Sequence, residues 1–309
     1  MSTPEIPVNT PSKPIEEIKN PGVYSEMWND VIKVLDTDDR DSGLFSVFSY
    51  PYKNFNFQFR SVHSNKTPVY SGSAVYDDPN LFAIFFASGS GLLKQKTIFK
   101  YNENFKFTFD WDYIKSKKHN MADMMMNYTA SDFGLQFCFN TFSGIRGTYL
   151  QAINNNIHIG TELVWDCISN KNWFVSGAFK YTNPLYTYII AATGGHNLFI
   201  HYLKNVTKNV KLAASLHVYP ANTALHFNAM TTLAALFDFP RTGVKLNTSI
   251  NGTGAISLSL LEPISPSTSL SLQSNFNPFL DLYSFCLGVR FGPKNEVHLN
   301  YTPITQISY

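Results

Sequence analysis

The sequence predicts an all-β fold, a transmembrane β-barrel of about nineteen strands preceded by a short amphipathic helix, and three observations predict it. Charged residues make up 15% of the 309-residue chain, well below the roughly 25% of a soluble globular protein. Aromatic residues make up another 15%, with 26 Phe and 17 Tyr. Apolar and polar residues alternate over most of the chain, and no apolar run reaches the ~18 residues a transmembrane helix needs, the strongest being Leu81 to Ala87. Little charge means that much of the surface does not face water, while a mean hydropathy of −0.12 argues against apolar helical spans. A barrel that shows lipid every second residue satisfies both.

The first 20 residues hold Pro4, Pro7, Pro11 and Pro14 among polar neighbours and read as a disordered arm. They contain no apolar core of a secretory leader. If they are the true start of the chain, the expected home is a eukaryotic organelle supplied from the cytosol. Residues 21–42 then read as a helix and an acidic linker. From Tyr24 to Asp36 the residues Tyr24, Met27, Trp28, Val31, Ile32 and Leu35 recur on one helical face, and Asp36, Asp38, Asp39 and Asp41 follow as a solvated stretch.

From residue 43 to residue 292 the period is two. Phe105, Phe107, Phe109, Trp111 and Tyr113 point one way, while Lys106, Thr108, Asp110 and Asp112 point the other. The same alternation marks 55–60, 132–139, 157–165, 244–250 and 283–291. Asn-rich turn signals separate the segments, among them Asn102 to Asn104, Asn154 to Asn156, Ser169 to Asn172, Gly194 to His196 and Asn251-Gly252, so neighbours are expected to pair as antiparallel hairpins. A strand of about 10 residues plus a turn of about 3 repeats roughly nineteen times over this stretch. Tyr and Trp at strand ends, as at Tyr52, Tyr101, Trp111, Trp165 and Trp173, suit a membrane interface. Residues 293–309 form a polar tail.

Other classes find little support. A net charge of +2 gives no reason to expect nucleic acid as a partner. Cys138, Cys167 and Cys286 have neither disulfide nor zinc spacing and are expected to pack as small buried side chains, and no His/Cys grouping has metal spacing. No nucleophile motif accompanies Asp110 and Asp112, so neither catalysis nor a cofactor is expected. Strand phase places Asp110, Asp112, Asp132 and Glu162 inside, with Arg60, Lys94, Lys96, Lys100, Lys211, Lys245 and Arg290 mostly elsewhere on the inner surface. Two readings stay open: an acidic wall that attracts cationic segments, or carboxylates paired with lumenal Lys and Arg.

Several stretches resemble the pore-forming subunit family of the mitochondrial outer-membrane protein translocase, the TOM complex, a branch of the eukaryotic porin-like superfamily. They are Asn20-Pro21-Gly22 with Tyr24 and Glu26, Ser131-Asp132-Phe133, Tyr149 to Ile153, and Ile159-Gly160 with Glu162 to Trp165. Weaker likeness continues through Phe174 to Tyr181, Gly194 to Tyr202 and Asn277-Pro278-Phe279. The last segment, with Ser284, Gly288, Val289 and Phe291, resembles the β-signal read by the outer-membrane sorting machinery, although Cys286 stands where glycine is expected. The resemblance implies a nineteen-stranded barrel whose N-terminal helix, carrying Met27, Trp28, Val31 and Leu35, enters the lumen. It implies conduction of precursor proteins with cationic presequences, which makes Asp110, Asp112, Asp132 and Glu162 candidate presequence contacts. Its implied partners are a central receptor subunit, small single-span subunits, a second channel copy and outer-membrane lipid. The runner-up is the voltage-dependent anion channel, whose Gly-Leu-Lys signature is approximated by Gly91-Leu92-Leu93-Lys94. A soluble all-β protein is a third reading, which alkaline-carbonate extraction would separate from a membrane barrel.

Overall fold

The computed structural model describes residues 20–35, 43–63, 68–114, 119–141, 144–166, 172–194, 197–220 and 227–292. The Pro-rich arm, the acidic linker, Cys167, the Ser169-to-Asn172 turn up to residue 171, Gly195-His196 and the polar tail lie outside these residues. A 3-10 turn, Tyr24–Glu26, and a helix, α1 (Asn29–Leu35), precede nineteen strands. The first nine are β1 (Gly43–Tyr52), β2 (Phe55–His63), β3 (Pro68–Asp77), β4 (Leu81–Ser88), β5 (Leu92–Lys100), β6 (Phe105–Ile114), β7 (His119–Thr129), β8 (Phe133–Asn140) and β9 (Gly144–Ala152). The next five are β10 (Ile157–Trp165), β11 (Trp173–Thr182), β12 (Tyr186–Thr193), β13 (Asn197–Thr207) and β14 (Val210–Pro220). The last five are β15 (Phe227–Phe239), β16 (Val244–Asn251), β17 (Ile256–Ser265), β18 (Thr268–Asn277) and β19 (Leu282–Phe291).

Each strand pairs antiparallel with the next, as hairpin connections require, and β19 closes onto β1. After an odd number of strands, each reversing the last, the final strand runs in the same direction as the first. The closing pair is therefore parallel, with Gly43 opposite Cys286 and Phe48 opposite Phe291. The β-barrel of about nineteen strands expected from the sequence is thus a closed nineteen-stranded sheet. Strands about 4.8 Å apart and tilted by about 40° give a backbone diameter of roughly 38 Å.

Local chemistry sets the turns. Asn102 Oδ1 accepts from the Asn104 and Phe105 amides, Asn154 Oδ1 from those of Asn156 and Ile157, and Asn251 Oδ1 from those of Thr253 and Ala255. These Asx contacts supply the acceptor that a reversing backbone lacks. The connections that leave odd-numbered strands up to β17 are two to four residues long and share one rim. Because β19 runs with β1, it ends at that same rim, where the Gly292 amide donates to the Ser267 carbonyl in the β17–β18 turn.

Alternation sorts the two faces. In β8, Gly134, Gln136, Cys138 and Asn140 are buried toward the lumen, while Leu135, Phe137 and Phe139 are exposed on the outside, 42–44% accessible. A soluble protein would pay heavily for such an outer surface; a bilayer does not. Stacked pairs Trp111–Tyr113 and Trp165–Trp173, at centroid distances of 6.3 and 5.6 Å, sit at strand ends on this outer face. Such rings match the bilayer boundary with an apolar body and a polar tip.

The facing assignment is directly testable on β17. Leu260 faces outward between Leu246 and Leu272, and its neighbour Ser259 faces the lumen between Asn247 and Gln273. Leu260→Arg is expected to destabilise the folded barrel by about 2–4 kcal/mol, and Ser259→Arg by less than about 1 kcal/mol. Equilibrium urea unfolding in lipid vesicles measures both.

Candidate functional site

The site is built where the N-terminal segment lies against the inner wall. Gly22 adopts φ +76°, a conformation suited to glycine, and its amide donates to Asn20 Oδ1 at 2.8 Å. This bend presents the Gly22 carbonyl to β8 at Gly134, where a Cβ would come within 2.0 Å of its oxygen. On β10, a Cβ at Gly160 would meet the Tyr24 ring at 2.5 Å. Two inward glycines thus leave the space that the segment fills.

Polar contacts fix it further. Gln136 Nε2 donates to Ser25 Oγ at 3.2 Å and to Asn127 Oδ1 at 3.0 Å. Lys180 Nζ on β11 donates to the Met27 carbonyl at 3.1 Å. That carbonyl is consequently not used by a helical amide: the Val31 and Ile32 amides both donate to Trp28 O. The continuous helix expected from Tyr24 to Asp36 is therefore divided into the 3-10 turn and α1. Burial of the Tyr24 phenol, reinforced by the Glu162 carboxylate, pushes its pKa well above the ordinary tyrosine value.

Beyond this anchor α1 packs on β13, β14 and β15. Met27, Val31 and Val34 are buried, with Trp28 and Leu35 partly buried beside them. The wall beneath is lined by Ala178, Ala191, Ala213 and Ala234 together with Ile189 and Leu203. Small side chains there let the helix approach the sheet closely. Met27, Trp28, Val31 and Leu35 thus lie on the buried side as the helical spacing implies, but Ile32 is exposed and Val34 takes its place. The docked face follows 24, 27, 31 and 34, a narrower stripe than the one read from the sequence. Trp28 meets His201 of β13 edge-on at 5.6 Å.

The lumenal carboxylates are paired. Lys94 lies 3.0 Å from Asp112, Lys96 lies 3.4 Å from Asp110, and Arg146 lies 3.7 Å from Glu162. Lys94 and Lys96 stand directly opposite Asp112 and Asp110 on β5 and β6, not elsewhere on the inner surface. A further lumenal carboxylate, Asp123, faces Asp110 across the β6–β7 ladder and bonds Asn140. Asp132 stands apart from the other three: it lies in the β7–β8 turn at the rim and accepts from Gln151 Nε2 at 3.2 Å, so it is not part of the wall. The wall is accordingly of mixed charge, with Asp110, Asp112 and Glu162 ion-paired, rather than an unpaired acidic stripe. Lys100 and Lys106 on β5 and β6 add to it, and Arg60, Lys211 and Arg290 face the lumen on β2, β14 and β19.

In β19, Ser284 and Gly288 face the lumen, and Val289 and Phe291 face outward. Phe291 stacks on Phe48 across the seam at 5.2 Å. Cys138 and Cys286 are buried and unbridged. Sequence reading missed Lys180, Gln136, Gly134, Asp123 and Arg146. Only Gly134 carried a signal, an inward glycine in an otherwise bulky strand.

A closed barrel with lipid-facing apolar residues, a polar lumen and a segment docked inside defines a membrane channel. A family model described as eukaryotic porin matches residues 20–283, and the chain belongs to that family. No curated protein matches the sequence.

Two outcomes test the docking. Gly134→Val is expected to displace the N-terminal segment while leaving the strand intact, lowering amide-exchange protection across residues 22–31 by about tenfold or more, ~1.4 kcal/mol. The phenol of Tyr24 is neutral when docked, and a free phenol ionises near pH 10, so docking is at full strength below about pH 10 and weakens as pH rises above it. Hydrogen exchange between pH 8 and 11 measures the effect, which Tyr24→Phe should abolish.

Proposed function

We propose that this chain is a protein-conducting channel that passes precursor proteins across the outer membrane of a mitochondrion or a mitochondrion-related organelle. One observation carries the reading. The stretches that resemble the translocase channel family lie far apart in sequence, yet Asn20 to Glu26 docks inside the barrel beside two of them, at Gly134 and Gln136 just after Ser131 to Phe133 and at Gly160 with Glu162. Scattered chance likeness would have no reason to fold into one contact.

The lumen is compatible with such cargo. The backbone tube, roughly 38 Å across, is wide compared with a helix of about 10–12 Å. The paired wall offers cationic presequences exchange partners at Asp110, Asp112 and Glu162, with Asp132 available at the rim. Within a translocase the implied partners are a central receptor subunit, small single-span subunits, a second channel copy and outer-membrane lipid. In this reading Ser284, Gly288, Val289 and Phe291 serve as the sorting signal.

One observation favours a second reading. The neutralised carboxylates and the additional inward Lys and Arg suit small anions, as in a metabolite pore of the voltage-dependent anion channel type.

Planar-bilayer conductance with an added presequence peptide separates the two. The protein-channel reading expects flicker block by the peptide and none by a scrambled peptide of equal charge, and a weaker block at high salt. Anion-preferring current insensitive to the peptide would establish the metabolite pore instead.

A further inference from the structure

The outer surface of the described strands carries almost no charge. Among Asp, Glu, Lys and Arg, only Lys204 on β13 and Glu262 on β17 occupy outward positions. Lys204 follows Leu203, which is buried in the cluster beneath α1, so the Lys204 side chain leaves the opposite face of the sheet. Glu262 lies four strands away, about 19 Å around the wall, and does not neutralise it. No carboxylate among the described residues pairs with Lys204.

Lys204 instead shares its outer face with tyrosines. Tyr186 is directly opposite Lys204 in the β12–β13 ladder. Ring centroids link Tyr181 to Tyr186 at 5.9 Å, Tyr186 to Tyr188 at 5.3 Å and Tyr188 to Tyr202 at 4.7 Å. The group sits toward the rim of short turns, close to the β11–β12 and β13–β14 connections. That is the depth at which a lysine on a barrel's outer face reaches the headgroup layer.

A cation flanked by hydroxyl donors lacks one thing: an anion with several acceptor oxygens. A lipid phosphate supplies it, and the tyrosine rings offer an apolar wall for the first part of the acyl chains. A zwitterionic headgroup brings its own cation and leaves the charge of Lys204 uncompensated. We propose that Lys204, Tyr181, Tyr186, Tyr188 and Tyr202 form a binding site for the headgroup phosphate of an anionic phospholipid on the outer wall of β11 to β13. The site does not depend on which cargo the lumen passes.

Native mass spectrometry of the full chain in detergent, titrated with phosphatidylglycerol or with phosphatidylcholine of the same acyl chains, tests this. The wild-type protein is expected to bind phosphatidylglycerol about fivefold or more tightly than phosphatidylcholine, about 1 kcal/mol. Lys204→Met should abolish the preference and Lys204→Arg should retain it. Tyr188→Phe, which removes one hydroxyl, should weaken phosphatidylglycerol binding roughly threefold. Lys208→Met, in the neighbouring turn but outside the tyrosine group, should leave the preference unchanged. Equal binding of the two lipids, an unaltered preference in Lys204→Met, or equal losses in the Lys204 and Lys208 variants would overturn the proposal. Competition by free glycerol phosphate as strong as by the intact lipid would likewise overturn it, assigning the anion to solution rather than to the bilayer.

Discussion

Everything in this structure depends on closure of the sheet. In hydrocarbon an unpaired backbone amide or carbonyl has no water to turn to, so a strand survives there only if both of its edges are occupied. Nineteen hairpin-linked strands leave their first and last members running the same way, and the parallel β1–β19 ladder is the only pairing that removes the last two edges. That ladder involves Gly43, Gly288 and Cys286, with Phe48 and Phe291 stacked outside. On the β19 side of the seam, Cys286 and Gly288 face inward together with Arg290, while Val289 and Phe291 face outward. The segment that resembles a sorting signal is also the strand that completes the barrel.

Closure creates a lumen, and the lumen is asymmetric because one part of it is occupied. The N-terminal segment reaches the wall at two glycines, takes two hydrogen bonds from wall side chains and continues as α1 over a patch of alanines. Its contacts are of unlike kinds: backbone approach at Gly134, an aromatic face at Gly160, a lysine on a carbonyl at Met27. Such a combination specifies one register rather than a sliding apolar contact. The charged strip on β5 to β10 adjoins this anchor, since Glu162 faces both Tyr24 and Arg146. Cargo that competes for these carboxylates would therefore act next to the docked segment.

The sequence made the barrel legible because period two is a one-dimensional signal that survives without any knowledge of partners. The outward Phe105, Phe107 and Phe109 against Lys106, Thr108 and Asp110 needed only alternation, and the strand count needed only a repeat length. The amphipathic segment was legible for the same reason. Its break was not: it arises from Lys180, 153 residues away, taking the Met27 carbonyl out of the helix. Charge pairing was hidden likewise. Strand phase placed Asp110 and Asp112 inside correctly, but register decides who stands opposite, and one-residue differences in turn length bring Lys94 and Lys96 to them or carry those lysines past. Asp132 fitted the alternation of β8 and still fell in the turn, because the strand begins one residue later. Facing follows from local pattern, whereas pairing needs long-range register.

The central claim is that a polypeptide travels through this lumen, past the docked segment and along the charged strip. Site-specific photo-crosslinking to a precursor arrested in transit tests it most directly. Probes placed at Asp112 and Thr148, which face inward, and at their chain neighbours Trp111 and Tyr149, which face lipid, share the same strands and nearly the same depth. The account predicts crosslinks to the precursor from the inward pair and none from the outward pair. Absence of precursor crosslinks from both inward positions, with the arrested precursor bound to the same membrane, would contradict it.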